Sequence, residues 1–475
     1  MVRAGTAAAG FPAVHYCGRV CTDLGRWLRR ARGISAISVI SGMSGMMRPW
    51  FAGVTGRMPG DGGPAHGFAL DRRWLAACFA AFTAYACAMV FTGGNDGAWA
   101  AWAVGGYAVA AVAAWRARWV AVPLLVALGC AVIAPVVWLA LRAPATPDVV
   151  VVTRSAVLLL RHGSPYLPAG QVAAVTSYNP YLPAMAIFGL PRAAGLAGLA
   201  GDTRPWLVAV SLVLLAAAIW IAAPHRASRC GACRTAALWG AVFAVGSPVL
   251  ALSLAVGITD APVIALVCLA FACIAVPGRL LAVAGLAVGV ACTMKFTAWP
   301  AVPVIAAMLA ARDGARAAGH FAAAAAVTAV ALLAASAPAL LAQPRALVQN
   351  VVLFPLGLTQ HKTPAASPLP GHILAGTGPA GHLAAIALLI AAALAVAASL
   401  VLRPPADVRA AITRLAIGLA LLFALAPASR FGYFAYPVAL LGWCALTRPD
   451  RAAGGHRGHG AATAVTKSLI QPTRH

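Results

Sequence analysis

Runs of apolar residues, separated by short stretches carrying Gly, Pro or basic side chains, fill the chain from residue 74 to residue 448. At about 1.5 Å per residue, roughly 17 to 24 residues cross the hydrocarbon layer of a bilayer. On that measure the pattern predicts twelve spans, near 74–92, 97–115, 119–141, 205–223, 235–254, 261–276, 280–295, 297–311, 319–341, 381–402, 411–428 and 432–448. Two longer stretches interrupt the rhythm, at 142–204 and 342–380. The expected fold is all-α, a polytopic transmembrane bundle with two large extracytoplasmic loops that bear interfacial helices.

Composition agrees. A chain of 475 residues that is 62% hydrophobic and 9% charged cannot hide its apolar surface in a water-soluble core, so the lipid bilayer is its first expected partner. The formal charge of +25 would point to nucleic acid in a soluble protein. Here it sorts by side instead, and no nucleic-acid partner is expected. With both termini in the cytoplasm, 26 of the 35 Lys and Arg residues fall on cytoplasmic segments, as the positive-inside bias favours. Residues 1–73 then form a cytoplasmic, disordered amino-terminal tail, 74–448 the membrane domain, and 449–475 a basic cytoplasmic tail. Residues 180–200 are apolar enough to span. Counting them as a crossing would translocate the basic loop at 224–234, so they are read as a helix along the outer face, broken by Pro183 and Pro191.

Acidic groups are scarce: ten Asp and no Glu. Folding the loops by charge leaves Asp96, Asp148, Asp202 and Asp260 on the outer side. Asp96 in GGND reads as a hairpin turn residue and Asp202 in GDTRP as a helix cap or a partner of Arg204. Asp260 in GITDAP reads either as a second site group or as a helix cap. Asp148, in TPDVVVVTRSAVLLLRH, is the leading site carboxylate, with Arg154 and Arg161 adding positive charge nearby. Its alternative is a capping Asp on an interfacial helix. The cysteines supply no metal motif, because Cys230-Gly-Ala-Cys233 lacks a second pair and an acidic neighbour. A Gly-rich nucleotide loop is also missing.

An Asp just after an early span, an amphipathic run, Gly163-Ser-Pro-Tyr166, and Tyr178-Asn-Pro-Tyr-Leu-Pro183 together resemble the first outer loop of GT-C glycosyltransferases. The likeness is greatest to their actinobacterial family-87 branch, which carries an Asp, a G-x-x-P-Y element and a Y-P-P element in this order. It extends over GITDAP at 257–262, 285–300 and RFGYFAYP at 430–437. Here the first element is one residue shorter, the second reads Tyr-Asn-Pro, and Val151 and Val152 stand where an aromatic is common.

The resemblance implies transfer of a sugar, mannose first, from a polyprenyl-phosphate donor to a glycan or glycolipid acceptor of the cell envelope. The site would face outward from the cytoplasmic membrane, with Asp148 as general base. Cations for the departing phosphate would come from Arg154, Lys295, His361, Lys362 and Arg430, although Lys295 also suits a side chain reaching for the interface. Tyr166, Tyr178, Asn179, Asp260, His372 and Tyr433 are the expected substrate contacts. Tyr181 and Tyr436 gather at the same boundary, where Tyr also anchors helices. So few carboxylates leave room for at most a weakly held divalent cation, Mg²⁺ or Mn²⁺, on Asp148 with Asp260. The alternative function is a transporter or flippase. It accounts for the helices, Lys295 and the Pro breaks at 300 and 303, but not for the long outer loops or the lack of an internal repeat.

Overall fold

The computed structural model describes residues 72–446 apart from 118, 168–170, 223–230, 277–279, 338–343 and 362, and gives backbone alone at 231–237. The expected tails lie outside these residues, except for Arg72 and Arg73, as does Cys230. Helices carry nearly all of the described chain, and its one β-bridge joins Ala366 to Ser429. In order they are α1 (Arg72–Met89), α2 (Gly94–Arg116), α3 (Ala121–Arg142, with a π-turn at Gly129–Ile133), α4 (Pro147–His162) and α5 (Thr203–Ala222). There follow α6 (Gly231–Val245), α7 (Pro248–Val256), α8 (Asp260–Ala275), α9 (Leu281–Met294), α10 (Ala301–Asp313) and α11 (Ala315–Ser336). The last three are α12 (Pro379–Leu402), α13 (Val408–Leu425) and α14 (Ala435–Leu446).

The protein is an all-α, multi-pass membrane protein. Seven helices, α1, α2, α3, α5, α11, α12 and α13, are long and apolar enough to cross a bilayer, and α6 with α7 makes an eighth if the pair, bent by 63°, is one span. Each of the twelve expected spans meets a helix, but four meet short ones. Helices α8, α9, α10 and α14 have 16, 14, 13 and 12 residues. At about 1.5 Å per residue none reaches the roughly 30 Å of a hydrocarbon core. Their hydrophobicity serves a different contact. Along α8 almost every side chain from Val263 to Ile274 is buried, with α5, α9, α13 and α14 packed around it, whereas α12 leaves Leu383, Leu388, Ile390, Leu394 and Val401 exposed on its outside. A second cluster joins α1, α2, α3 and α7, with the Trp99 indole donating to the Ala131 carbonyl inside the π-turn of α3.

Residues 180–200 form no single surface helix. They fold as a 3-10 segment, Pro183–Gly189, then single turns at Leu190–Ala193 and Gly198–Gly201. Pro183 opens the first turn, and Pro191 starts a second, so no long helical ladder develops. The 3-10 segment buries Met185, Ala186 and Phe188, and it sits so close to α4 that a Cβ on Gly189 would lie 2.6 Å from the Val152 carbonyl oxygen.

The hairpin and loop segments expected on one side do meet at one end of the bundle. Asn95 donates to the Pro144 carbonyl, Thr146 to that of Val256, and Leu182 N–H to that of Met294. Ser367 N–H reaches the Ser429 carbonyl. The far end carries the opposite turns, where Arg312 reaches the Ile274 carbonyl.

Candidate functional site

Helix α4 starts at Pro147, whose fixed φ suits the first helical position and which has no N–H to leave unpaired. Its cap is Thr146, whose hydroxyl accepts from Val149 N–H, so Asp148 is not spent on capping. The Asp148 carboxylate instead meets two partners from distant segments. Tyr181 Oη donates to Oδ1 at 2.6 Å, and Arg430 Nη1 stands 3.6 Å from Oδ2.

Beneath them lies a second charge pair. Gly257, at φ 83°, ends α7 in the left-handed region; a Cβ there would strike Arg204 Cγ and Val149 Cγ2 at 2.6 and 2.7 Å. The chain turns at this glycine and delivers Asp260 to the first turn of α8. Opposite, α9 stops and Lys295 continues in extended backbone. Lys295 Nζ bonds Asp260 Oδ1, both buried, and lies 5.5 and 5.2 Å from the ring centres of Tyr181 and Tyr433. Asp260 sits at the positive end of one helix and Lys295 at the negative end of another, so both macrodipoles favour the charges they face.

Asp148, Tyr181, Ile258, Thr259, Asp260, Lys295, Arg430, Gly432 and Tyr433 line one partly open hollow of ≈ 280 Å³, counting the space at its mouth. The pair at the floor is almost inaccessible; at the mouth the side chains of Arg430 and Asp148 are 34% and 22% exposed. Two acceptors here, Thr259 Oγ1 and Asp260 Oδ2, are buried without a protein partner of normal hydrogen-bond geometry among the described residues, although the Tyr181 and Tyr436 hydroxyls lie near them. Buried acceptors of this kind are completed by water or by a ligand hydroxyl.

Of the expected site residues, Asp148, Asp260, Lys295, Arg430 and Tyr433 therefore converge, and Tyr181 joins them. The others among the described residues do not line the hollow. Arg154 is occupied by the main chain, donating to the carbonyls of Thr176, Ser177 and Tyr178. Burial lowers its pKa from the usual arginine value. Tyr178 stacks on Phe354 at 4.4 Å, with His361 beyond it, and both lie outside the lining. His372 bonds the Pro427 carbonyl through Nδ1, and Lys362 lies outside the described residues. Tyr166 donates its hydroxyl to the Tyr181 carbonyl, while Asn179 accepts from Tyr181 N–H and takes Asn350 Oδ1 on its own N–H. These residues build the frame around the hollow. Tyr436 pairs with Thr297, Asp202 holds Arg204 through both oxygens, and Asp96 stands in the first turn of α2.

The second long loop contributes by holding Arg430. Its Ser367 N–H bonds the Ser429 carbonyl and its Oγ accepts from Phe431 N–H, so Arg430 is clamped on both sides. A divalent cation fits this donor set poorly, because only one oxygen each of Asp148 and Asp260 lacks a close bond, both stand beside the cations Arg430 and Lys295, and among the described residues no three His, Cys, Asp or Glu side chains group together. No known family model, curated protein or solved structure matches the chain.

Proposed function

We propose that this protein is a membrane glycosyltransferase of the GT-C type, moving a sugar, mannose first, from a polyprenyl-phosphate donor to a glycan or glycolipid acceptor. The hollow would face the extracytoplasmic side of the cytoplasmic membrane. One arrangement carries the reading: a carboxylate at the mouth whose Oδ1 takes the Tyr181 hydroxyl and whose Oδ2 faces the half-buried Arg430 guanidinium at 3.6 Å. An acceptor hydroxyl would attack the anomeric carbon and give its proton to Asp148 Oδ2. The bond from that carbon to the donor phosphate breaks, its electron pair leaves with polyprenyl phosphate, and Arg430 moves onto the developing anion.

The bent pair α6 and α7 is what favours a transporter, since discontinuous helices surround many transport sites. Here the break is closed by the protein itself, with Tyr107 Oη on the Gly246 carbonyl and Ser247 Oγ on that of Ala244. Asp148→Asn decides between the two readings. Labelled mannosyl, arabinosyl and glucosyl polyprenyl phosphates are offered to membranes carrying each form, and the variant is expected to lose transfer by about 10²- to 10⁴-fold, the usual worth of a general base. Undiminished transfer would remove Asp148 from the chemistry.

A further inference from the structure

The phenol of Tyr181 does more than fill space. Its ring is buried between Asp148 and Lys295, and its hydroxyl ends on Asp148 Oδ1. Three separate bonds fix its backbone: Asn179 Oδ1 accepts from its N–H, Tyr166 Oη donates to its carbonyl, and the next residue, Leu182, donates to Met294 beside Lys295. Asn179 is in turn held by Asn350 from the second long loop. A side chain braced this way has one position for its hydroxyl.

We infer that Tyr181 is the positioning residue of the site, clamping Oδ1 of Asp148 so that Oδ2 is the oxygen turned to the acceptor hydroxyl. The assignment rests on the transferase reading for its catalytic consequence, but the clamp itself does not. Burial, with the negative charge of Asp148 and the hydrogen bond to it, raises the Tyr181 phenol well above the ordinary tyrosine range. The hydroxyl stays protonated and serves the carboxylate as a donor. The Tyr178-Asn-Pro-Tyr element thus belongs to the catalytic apparatus through its last residue. Its first, Tyr178, packs on Phe354.

Tyr181→Phe tests this with the ring retained, so that packing and the contact with Lys295 survive. In full-length protein purified in lipid nanodiscs, with mannosyl polyprenyl phosphate as donor, kcat is expected to fall about 10- to 100-fold, the equivalent of one hydrogen bond to a charged group, while the donor KM holds. A tyrosine that only packs would leave kcat unchanged. A second measurement needs no turnover: the rate at which a water-soluble carbodiimide labels Asp148, read by peptide mass spectrometry, rises several-fold in the variant once Oδ1 is released. Wild-type kcat in Tyr181→Phe, or an unchanged labelling rate, overturns the inference. Should the wild type transfer no sugar, the transferase reading fails and the labelling rates alone decide the clamp.

Discussion

Asp148 could be picked out from the sequence because acids are rare and the loops sort by charge; what it touches could not. Tyr181 lies 33 residues away and meets it only after Pro183–Gly189 packs on α4. Arg154 misleads in the opposite way. A cation near a candidate base suggests an anion site, yet its partners are carbonyls of Thr176 to Tyr178, which no residue type announces. Lys295 was legible as a group too costly to place idly in an apolar setting and Asp260 as either a site group or a helix cap, but their pairing was not. That pairing makes a residue-scale prediction. Asp260→Asn leaves the Lys295 ammonium buried without its counter-charge, which costs on the order of 3–5 kcal/mol, whereas Asp260→Leu combined with Lys295→Met restores most of the loss. Thermal unfolding in detergent, comparing the single and double variants, checks it; equal midpoints for wild type and Asp260→Asn would mean that the pair contributes little.

At the scale of elements, each predicted apolar run meets a helix, but α4 lies outside all of them, and the runs overstated how many helices have crossing length. Hydropathy cannot distinguish a side chain facing lipid from one facing protein, and α8 is apolar because it is enclosed by α5, α9, α13 and α14. The segment after α4, expected as one helix, folds instead as a 3-10 stretch and two single turns. Its contact with α4 depends on Gly189, where an added Cβ would approach Val152 O and Thr153 Cα to 2.6 and 2.9 Å, both backbone atoms that cannot swing aside. Gly189→Ala is therefore expected to push the 3-10 segment off α4 at a cost of about 1–3 kcal/mol. Because Tyr181 leads directly into that segment, transfer should fall together with the unfolding midpoint. A variant with a normal midpoint and normal transfer would show that the segment has room to shift.

Taken whole, the molecule directs its turns to two ends, and exposed Trp residues mark both: Trp206 and Trp299 toward the hollow, and Trp115, Trp119 and Trp220 toward the far end. Amphipathic rings at those two levels fit the two faces of a bilayer. At the hollow the lining sets Asp148 and Asp260 against Lys295 and Arg430, with Asp96 close enough to act on Arg430. A site without net positive charge casts no attractive field for an anion beyond its own rim, so it cannot draw an anionic lipid from a distance. Capture then depends on lateral diffusion of the donor within the membrane and on contact at the mouth. Transfer rates at low donor concentration should accordingly change little between dilute buffer and about 1 M salt, where the Debye length shrinks to about 3 Å. A steep decline over that range would instead reveal long-range attraction by the basic surface around the hollow.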